Sequence, residues 1–397
     1  MAMGQQIDSP IRAVATEPST AATPTRLMSL DVFRGATMAA MLLVNNPGDW
    51  GNLYTPLDHA EWNGWTFTDL IFPFFLWIVG VAIPFSLGRK IEQGEAPGKL
   101  LFKVLRRSMI LVAVGMVLNG FPVYDFSTIR IPGVLQRIGV CYFFAASIYL
   151  FTGIRGQIAA ILTLLIGYWL LMAFGPVPGV GHGVMALHGN FSEYIDKQIF
   201  GHHVWREMAP GDPEGSVSTL PAIASVLFGI MAGHILRSRK TQSEQTAWLF
   251  VVGTILLFVG SVMDWWLPIN KKLWTSSYSI FMAGMAMNIF ALCFWMVDVQ
   301  GRRKLVKPLF VYGMNAITVF VLTGLLGRLT TFIKFQYEGK TIMLKSYLYE
   351  HLKAGFEAVG GPLATVRNSS LLYALCWVGL MYGVCYVMYR KKWFVRF

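Results

Sequence analysis

The sequence predicts an all-α polytopic membrane protein, and three observations carry that expectation. Of its 397 residues 55% are hydrophobic and only 14% charged, a balance well outside the soluble norm. Apolar runs near the roughly 20 residues of helix that cross a hydrocarbon core recur along the whole chain. The basic residues gather in alternate connections between those runs, as the positive-inside rule requires.

Residues 1–26, rich in Ala, Thr, Pro and Ser, hold no apolar core of a signal peptide and are expected to form a disordered tail. The remainder, 27–397, is expected to form one membrane domain. About ten spans are expected, near 28–47, 66–88, 104–121, 132–153, 157–175, 217–237, 246–266, 275–297, 306–326 and 369–389. Arg89, Lys90, Lys99, Lys103, Arg106 and Arg107, then "RSRK" (237–240), "GRRK" (301–304) and "YRKKWFVR" at the end mark alternate connections as cytoplasmic. Both termini are then cytoplasmic. The net charge of +12, which in a soluble protein would suggest nucleic acid, is accounted for mostly by this topology. The segment 342–360, "IMLKSYLYEHLKAGFEAVG", has helical apolar spacing but five charged or titratable residues, so it reads as an amphipathic surface helix rather than an eleventh span.

No internal repeat and no Gly-rich phosphate loop is visible. Cys141, Cys293, Cys376 and Cys385 fall within expected spans without metal-ligand spacing and read as packing residues. His182, His188, His202 and His203 lie in the long outer connection, but no HExxH or Cys/His framework surrounds them, so no metal is expected.

Ionisable groups inside a bilayer cost several kcal/mol unless paired or hydrated, so they mark candidate function. Asp31 and Arg34 are spaced i, i+3 at the start of the first span, either as an interfacial ion pair or with Arg34 lining an anion site. Asn45 and Asn46 precede the proline that ends that span; they either cap the turn or face inward. His59, a residue type that takes or gives a proton near neutral pH, stands beside Asp58, Glu61, Trp62 and Trp65. Asp69 lies about one turn inside span two and needs a partner there.

Gln136 and Arg137 enter span four, where a buried guanidinium serves either a structural ion pair, to Asp31 or Asp69, or a ligand. Arg106 and Arg107 are explained by topology alone, yet also suit a phosphate-bearing cytosolic ligand. Asp212 and Glu214 in the long loop suit a sugar or amine acceptor. Lys271, Lys272 and Trp274 sit at the outer face against the charge trend, and Asn315 within span nine is either an interhelical bond or part of a cavity.

The blocks "SLDVFRG", "VNNPG", "HAEWNGWTFTDLIFPFFLWIVG", "RIPGVLQRIGVCYF", "DPEG", "PINKKLWTSSY" and "YGMNAI" resemble, in order, the heparan-α-glucosaminide N-acetyltransferase family of transmembrane acyltransferases, bacterial NagX-like members included. The resemblance covers 27–397. It implies transfer of acetyl from cytosolic acetyl-CoA across the bilayer to the amine of a glucosamine-type sugar, with a homodimer as the family's assembly. By the same resemblance His59 is the active-site histidine, as general base or acetyl carrier, and Asn45 its partner. Arg107, Gln136 and Arg137 fall on the CoA face, with Arg34 and Arg106 nearby. Asp69, Asn46, Glu214, Trp274 and Asn315 are then candidates for the acceptor site. The leading luminal domain and extra first helix of lysosomal members have no counterpart here, so a bacterial inner membrane is the expected setting.

The competing class is a proton-coupled secondary transporter, for which Asp69, Arg137 and a titratable histidine would also serve. Many such transporters repeat one half in the other, and no repeat is found here.

Overall fold

Helices satisfy their own backbone hydrogen bonds in lipid, and the computed structural model, which describes residues 27–395, is built mainly from them. The expected tail over 1–26 lies outside the described residues. In chain order the helices begin with α1 (Met28–Asn45), α2 (Phe67–Glu92), α3 (Pro97–Gly120), α4 (Val134–Phe151) and α5 (Ile154–Phe174). A short surface helix, α6 (Phe191–Phe200), precedes α7 (Thr219–Leu236), α8 (Gln242–Met263) and α9 (Ser276–Val299). Next come α10 (Lys307–Met314) and α11 (Ala316–Phe332), bent by 78° at Asn315. A hairpin, β1 (Lys334–Tyr337) and β2 (Lys340–Met343), then leads to α12 (Leu344–Val359) and α13 (Val366–Arg390).

Among the described residues seven helices are long and apolar enough to cross a membrane, or eight if the bent pair α10–α11 is one span. Each of the ten expected spans falls on a helix, but α1, with Asp31 and Arg34, and α3, with its four basic residues, fall short of that apolarity. The amphipathic segment near 342–360 is α12, with Tyr349 as its buried residue.

The hairpin departs from an all-α fold. "KFQYEGKTIM" alternates aromatic and branched residues around Glu338 and Gly339, whose φ of 49° and 75° suits a tight two-residue hairpin turn. Its register pairs Lys334 with Met343 and Tyr337 with Lys340.

α2 and α7 form the buried centre, with α9 beside them, while α5, α8 and α13 present mostly apolar surface outward. The α2–α7 contact depends on glycine. A Cβ on Gly80 would stand 2.0 Å from the Val226 carbonyl, and one on Gly229 2.1 Å from that of Trp77. Small residues that let two backbones touch are how helices associate where burial from water gives little drive. α1 meets α10 in the same way through Gly35 and Gly313.

The helices alternate between two ends of the bundle. One end carries residues 46–66, 121–133, 175–218, 264–275 and 333–365, laced together by Gly64 N to Ile269 O, Ile131 N to His203 O and Gly48 N to Ser370 O. The other carries the basic connections, where the Ser29 amide donates to Asp298 and Arg237 pairs with Glu92.

Candidate active site

The first turn of α2 explains why an aspartate can be buried there. Asp69 is 1% exposed, and its Oδ2 accepts from the amides of Ala60 and Thr66, both at 3.0 Å, and from Thr66 Oγ1 at 3.2 Å. A carboxylate at a helix N-terminus also meets the positive end of the helix dipole. The other oxygen, Oδ1, lies 2.6 Å from His59 Nδ1. From α9, Tyr278 donates to the Asp69 backbone carbonyl at 2.6 Å and anchors the turn from below.

Because an ionised Asp69 only accepts, the proton of the His59–Asp69 bond sits on Nδ1. Nε2 then carries the lone pair, with the Lys271 ammonium 3.4 Å away. His59 keeps 45% of its side-chain surface and lines a cavity of about 480 Å³. Thus the ring is fixed at one nitrogen and available at the other.

Lys271 completes this group. Its Nζ lies 3.0 Å from His59 Nδ1, 3.4 Å from Nε2 and 3.3 Å from Asp69 Oδ1. The loop 264–275 brings it there, clasped to the His59 loop by Lys272 Nζ to Glu61 O at 2.9 Å and Asn270 Nδ2 to Asn63 Oδ1 at 3.2 Å. Since Nδ1 already carries a proton, the ammonium donates to Asp69 and keeps N–H bonds for the cavity that Lys271 also lines. Burial pushes its pKa below the usual lysine value, against the pull of Asp69 and Glu214. A fifth of its side-chain surface remains exposed, which moderates that effect.

Asn45, the last residue of α1, lines the same cavity, as do Asn46, Gln136 and Glu214. The Asn45 amide makes no hydrogen bond to another described residue. Asn46 Nδ2 donates to Leu42 O at 2.9 Å, capping its own helix. Glu214 pairs with Arg130, which also grips Asp212 at 2.5 and 2.8 Å.

A second cavity of about 510 Å³ opens toward the basic end and is lined by Asp31, Arg34, Ser86, Arg107 and Tyr142 among others. Phe75, Val134, Leu135 and Phe320 line both cavities. The two are therefore neighbours across one apolar wall, with His59 at one end and Arg34 and Arg107 at the other. Arg107 stacks on Tyr142 at 5.0 Å, and its buried Nε has no partner among the described residues.

The catalytic-region model described as "Heparan-alpha-glucosaminide N-acetyltransferase, catalytic" matches residues 26–260, more than half of the chain. The chain belongs to the heparan-alpha-glucosaminide N-acetyltransferase family. Relatives of that name from Homo sapiens and Mus musculus are each 31% identical to it, in alignments that cover 76% and 75% of this chain. The alignments cover 53% of each relative, so the chain spans about half the length of the curated relatives it matches.

Several expected site residues stand elsewhere in this member of the acetyltransferase family. Gln136 lines the His59 cavity and not the basic one, with Nε2 3.7 Å from Met116 Sδ. Arg137, 2% exposed, lines neither cavity. It donates to Gly215 O at 3.0 Å and Ser218 Oγ at 2.5 Å and lies 5.2 Å over the Trp274 ring, pairing with neither Asp31 nor Asp69. Trp274, 1% exposed, is the packing wall behind Arg137 rather than a cavity surface. Arg106 points outward, one residue from Arg107 and on another helix face. Asn315 is buried at the α10–α11 bend, where its Oδ1 accepts from Val395 N at 3.3 Å; its neighbours Gly313, Met314 and Ala316 line the basic cavity and not the His59 cavity. Asp69 is engaged by His59, Lys271 and the donors of the helix start.

Lys271, Arg130, Trp205 and Arg328 also line the His59 cavity. The sequence signals only Lys271, as a lysine against the charge trend. The other three are ordinary residues of their segments until the fold brings those segments together.

Proposed function

We propose that the protein is a transmembrane acetyltransferase that moves acetyl from acetyl-CoA to the amine of a glucosamine-type sugar. The observation that carries this reading is the His59–Asp69 pair, facing a cavity that shares an apolar wall with a second cavity bearing Arg34 and Arg107. A long acyl donor needs such a division: a cationic end for phosphates, an apolar neck, and a proton-transfer group beyond it. In this reading the chain crosses a bacterial inner membrane about ten times, both termini cytoplasmic, with α1 and α3 as spans whose charged residues serve the basic cavity and the cytoplasmic face.

Acetyl-CoA is the donor substrate in this reading. The basic cavity suits it, because the Arg107 Nε is a buried donor with no partner among the described residues and such a group costs free energy unless a ligand satisfies it. Arg34 adds a second guanidinium, neutralised in part by Asp31 at 2.9 Å.

At the far end His59 Nε2 takes the proton of the attacking amine and returns it to the CoA thiolate that leaves as the thioester C–S bond breaks, the usual general acid–base arrangement. Asp69 holds Nδ1–H and stabilises the imidazolium that forms. Lys271 and the Asn45 amide supply donors for the oxyanion at the thioester carbonyl. Should His59 carry the acetyl group itself, the same Nε2 is the nucleophile, and an acetylated His59 peptide after donor alone would identify that route.

The decisive test uses proteoliposomes in a single orientation. Acetyl-CoA supplied at the basic face and amino sugar at the other should yield N-acetyl sugar at the His59 face. Solute uptake without acetyl transfer would favour the transporter instead.

A further inference from the structure

Lys271 brings a primary amine to the place where an acetyl transfer needs one. A general base takes a proton only from a group within hydrogen-bond reach of it, or one water beyond. Lys271 Nζ lies 3.4 Å from His59 Nε2 and lines the same cavity. An acceptor amine that attacks a thioester beside His59 has to come to that same nitrogen. The chain thus holds one amine of its own inside the site.

Other lysines at this end of the bundle are placed differently. Lys272 donates to Glu61 O at 2.9 Å, lies 5.9 Å over the Trp62 ring and does not line the cavity. Lys345 lies 5.8 Å over the Trp50 ring and does not line it either. Lys271 lines the cavity and keeps a fifth of its side-chain surface exposed. Burial, against the pull of Asp69 and Glu214, holds its pKa below the ordinary lysine value. More of it is therefore the neutral, nucleophilic amine than of a surface lysine at the same pH.

We propose that Lys271 is an internal acceptor: with acetyl-CoA bound and no sugar in the cavity, the protein acetylates its own Lys271 Nζ. This rests on the acetyltransferase reading, which supplies the donor and the base. One ammonium proton leaves to water, and the neutral nitrogen attacks the thioester carbonyl. An N–C bond forms as the C–S bond breaks; a second proton passes from nitrogen to His59 Nε2 and on to the departing CoA thiolate. The products are N-acetyl-lysine, the CoA thiol and one released proton.

The two roles of Lys271 belong to its two protonation states: the ammonium holds the oxyanion, and the free amine competes with the sugar for the acetyl group. Once acetylated, the side chain carries no charge. Asp69 then loses its ion-pair partner at 3.3 Å, the oxyanion loses a cationic donor, and the acetamide fills space that the acceptor needs. An enzyme given donor without acceptor shuts itself off, and a sugar in the cavity protects it.

The test incubates purified full-length protein with acetyl-CoA alone, cleaves it with chymotrypsin and reads the peptides by tandem mass spectrometry. One acetyl group should appear on Lys271 and survive hydroxylamine, which removes an acetyl group from histidine. Lys272 and Lys345 should stay free. Activity toward glucosamine, measured after the incubation, should fall in proportion to the fraction modified, and glucosamine present throughout should slow the modification. His59→Ala should slow it by about 10², whereas direct chemical acetylation by the thioester would keep the wild-type rate. Lys271→Arg, with no nucleophilic amine, should lose none of its own starting activity in the same incubation.

An unmodified Lys271 in a preparation that acetylates glucosamine overturns the proposal and leaves the acetyltransferase reading intact. Acetyl spread evenly over Lys271, Lys272 and Lys345, or modification of Lys271 at the wild-type rate in His59→Ala, also overturns it. Acetylation of Lys271 that depends on His59, without acetylation of any amino sugar, supports the proposal and refutes the amino-sugar acceptor. If neither reaction occurs, both fall.

Discussion

His59 Nδ1 lies 2.6 Å from Oδ1 of Asp69, a carboxylate 1% exposed at the start of α2. Because Asp69 is held from three further donors, it cannot turn to follow the ring; the ring follows it. Asp69→Asn keeps the size of the side chain but offers an amide where a carboxylate should receive Nδ1–H. The wrong tautomer is then favoured, and kcat should fall by about 10² to 10⁴. KM for both substrates should change little. Steady-state kinetics of the purified variant check this, and a loss confined to KM would show that Asp69 meets a ligand after all.

Lys271 stands 3.3 Å from Asp69 and within 3.4 Å of both ring nitrogens of His59. Lys271→Met should lower kcat by about 10², and Lys271→Arg should restore part of it. The pH profile gives a sharper reading. A lysine is charged below its pKa, and burial lowers that of Lys271, so the charge is lost at a lower pH than for an ordinary lysine, about 10.4. Activity should therefore decline on the alkaline side before that value, and Lys271→Arg should move the decline upward.

Much of this was legible because the decisive residues are close in sequence. "DHAEWNGWTFTD" holds His59, the loop that bends back, and Asp69 one turn into a helix, so local reasoning finds an acid beside a histidine. Lys271 is 212 positions from His59, and only the packing of two loops brings it there. Arg137 shows the opposite failure. A charge in an apolar run signals a special environment, but periodicity cannot say that Trp274 and two oxygens of the "DPEGSVS" segment supply it. Asn315 falls within an expected span, and nothing in the apolar pattern there marks the 78° bend that the chain makes at it. The hairpin at 334–343 hid in a connection whose alternation is only four residues long on each side.

Arg106 and Arg107 are neighbours with opposite surroundings. Arg107 lines the basic cavity with an unsatisfied Nε, and Arg106 is exposed. Arg107→Ala should raise KM for acetyl-CoA by about tenfold, the worth of one charge-assisted hydrogen bond, with the acceptor KM unchanged. Arg106→Ala should alter neither. Equal effects of the two would mean that the donor is held by general positive charge rather than by the cavity.

The contact of α2 with α7 leaves no room at Gly80. Gly80→Leu forces backbones apart and should destabilise the protein by about 1–3 kcal/mol or more, seen as a lower Tm in detergent. Gly98, whose Cβ would meet nothing within 4 Å, gives the control: Gly98→Ala should leave Tm unchanged. A Gly80→Leu protein with normal Tm would show that the two helices are not in close contact.

The central claim is that His59 carries the chemistry. It is tested most directly by acetyl-CoA-dependent N-acetylation of an amino sugar by purified wild type against His59→Ala. Loss of about 10² to 10⁴ in kcat, with the protein still folded and acetyl-CoA still bound, is the predicted result. Wild-type turnover in His59→Ala would contradict the account.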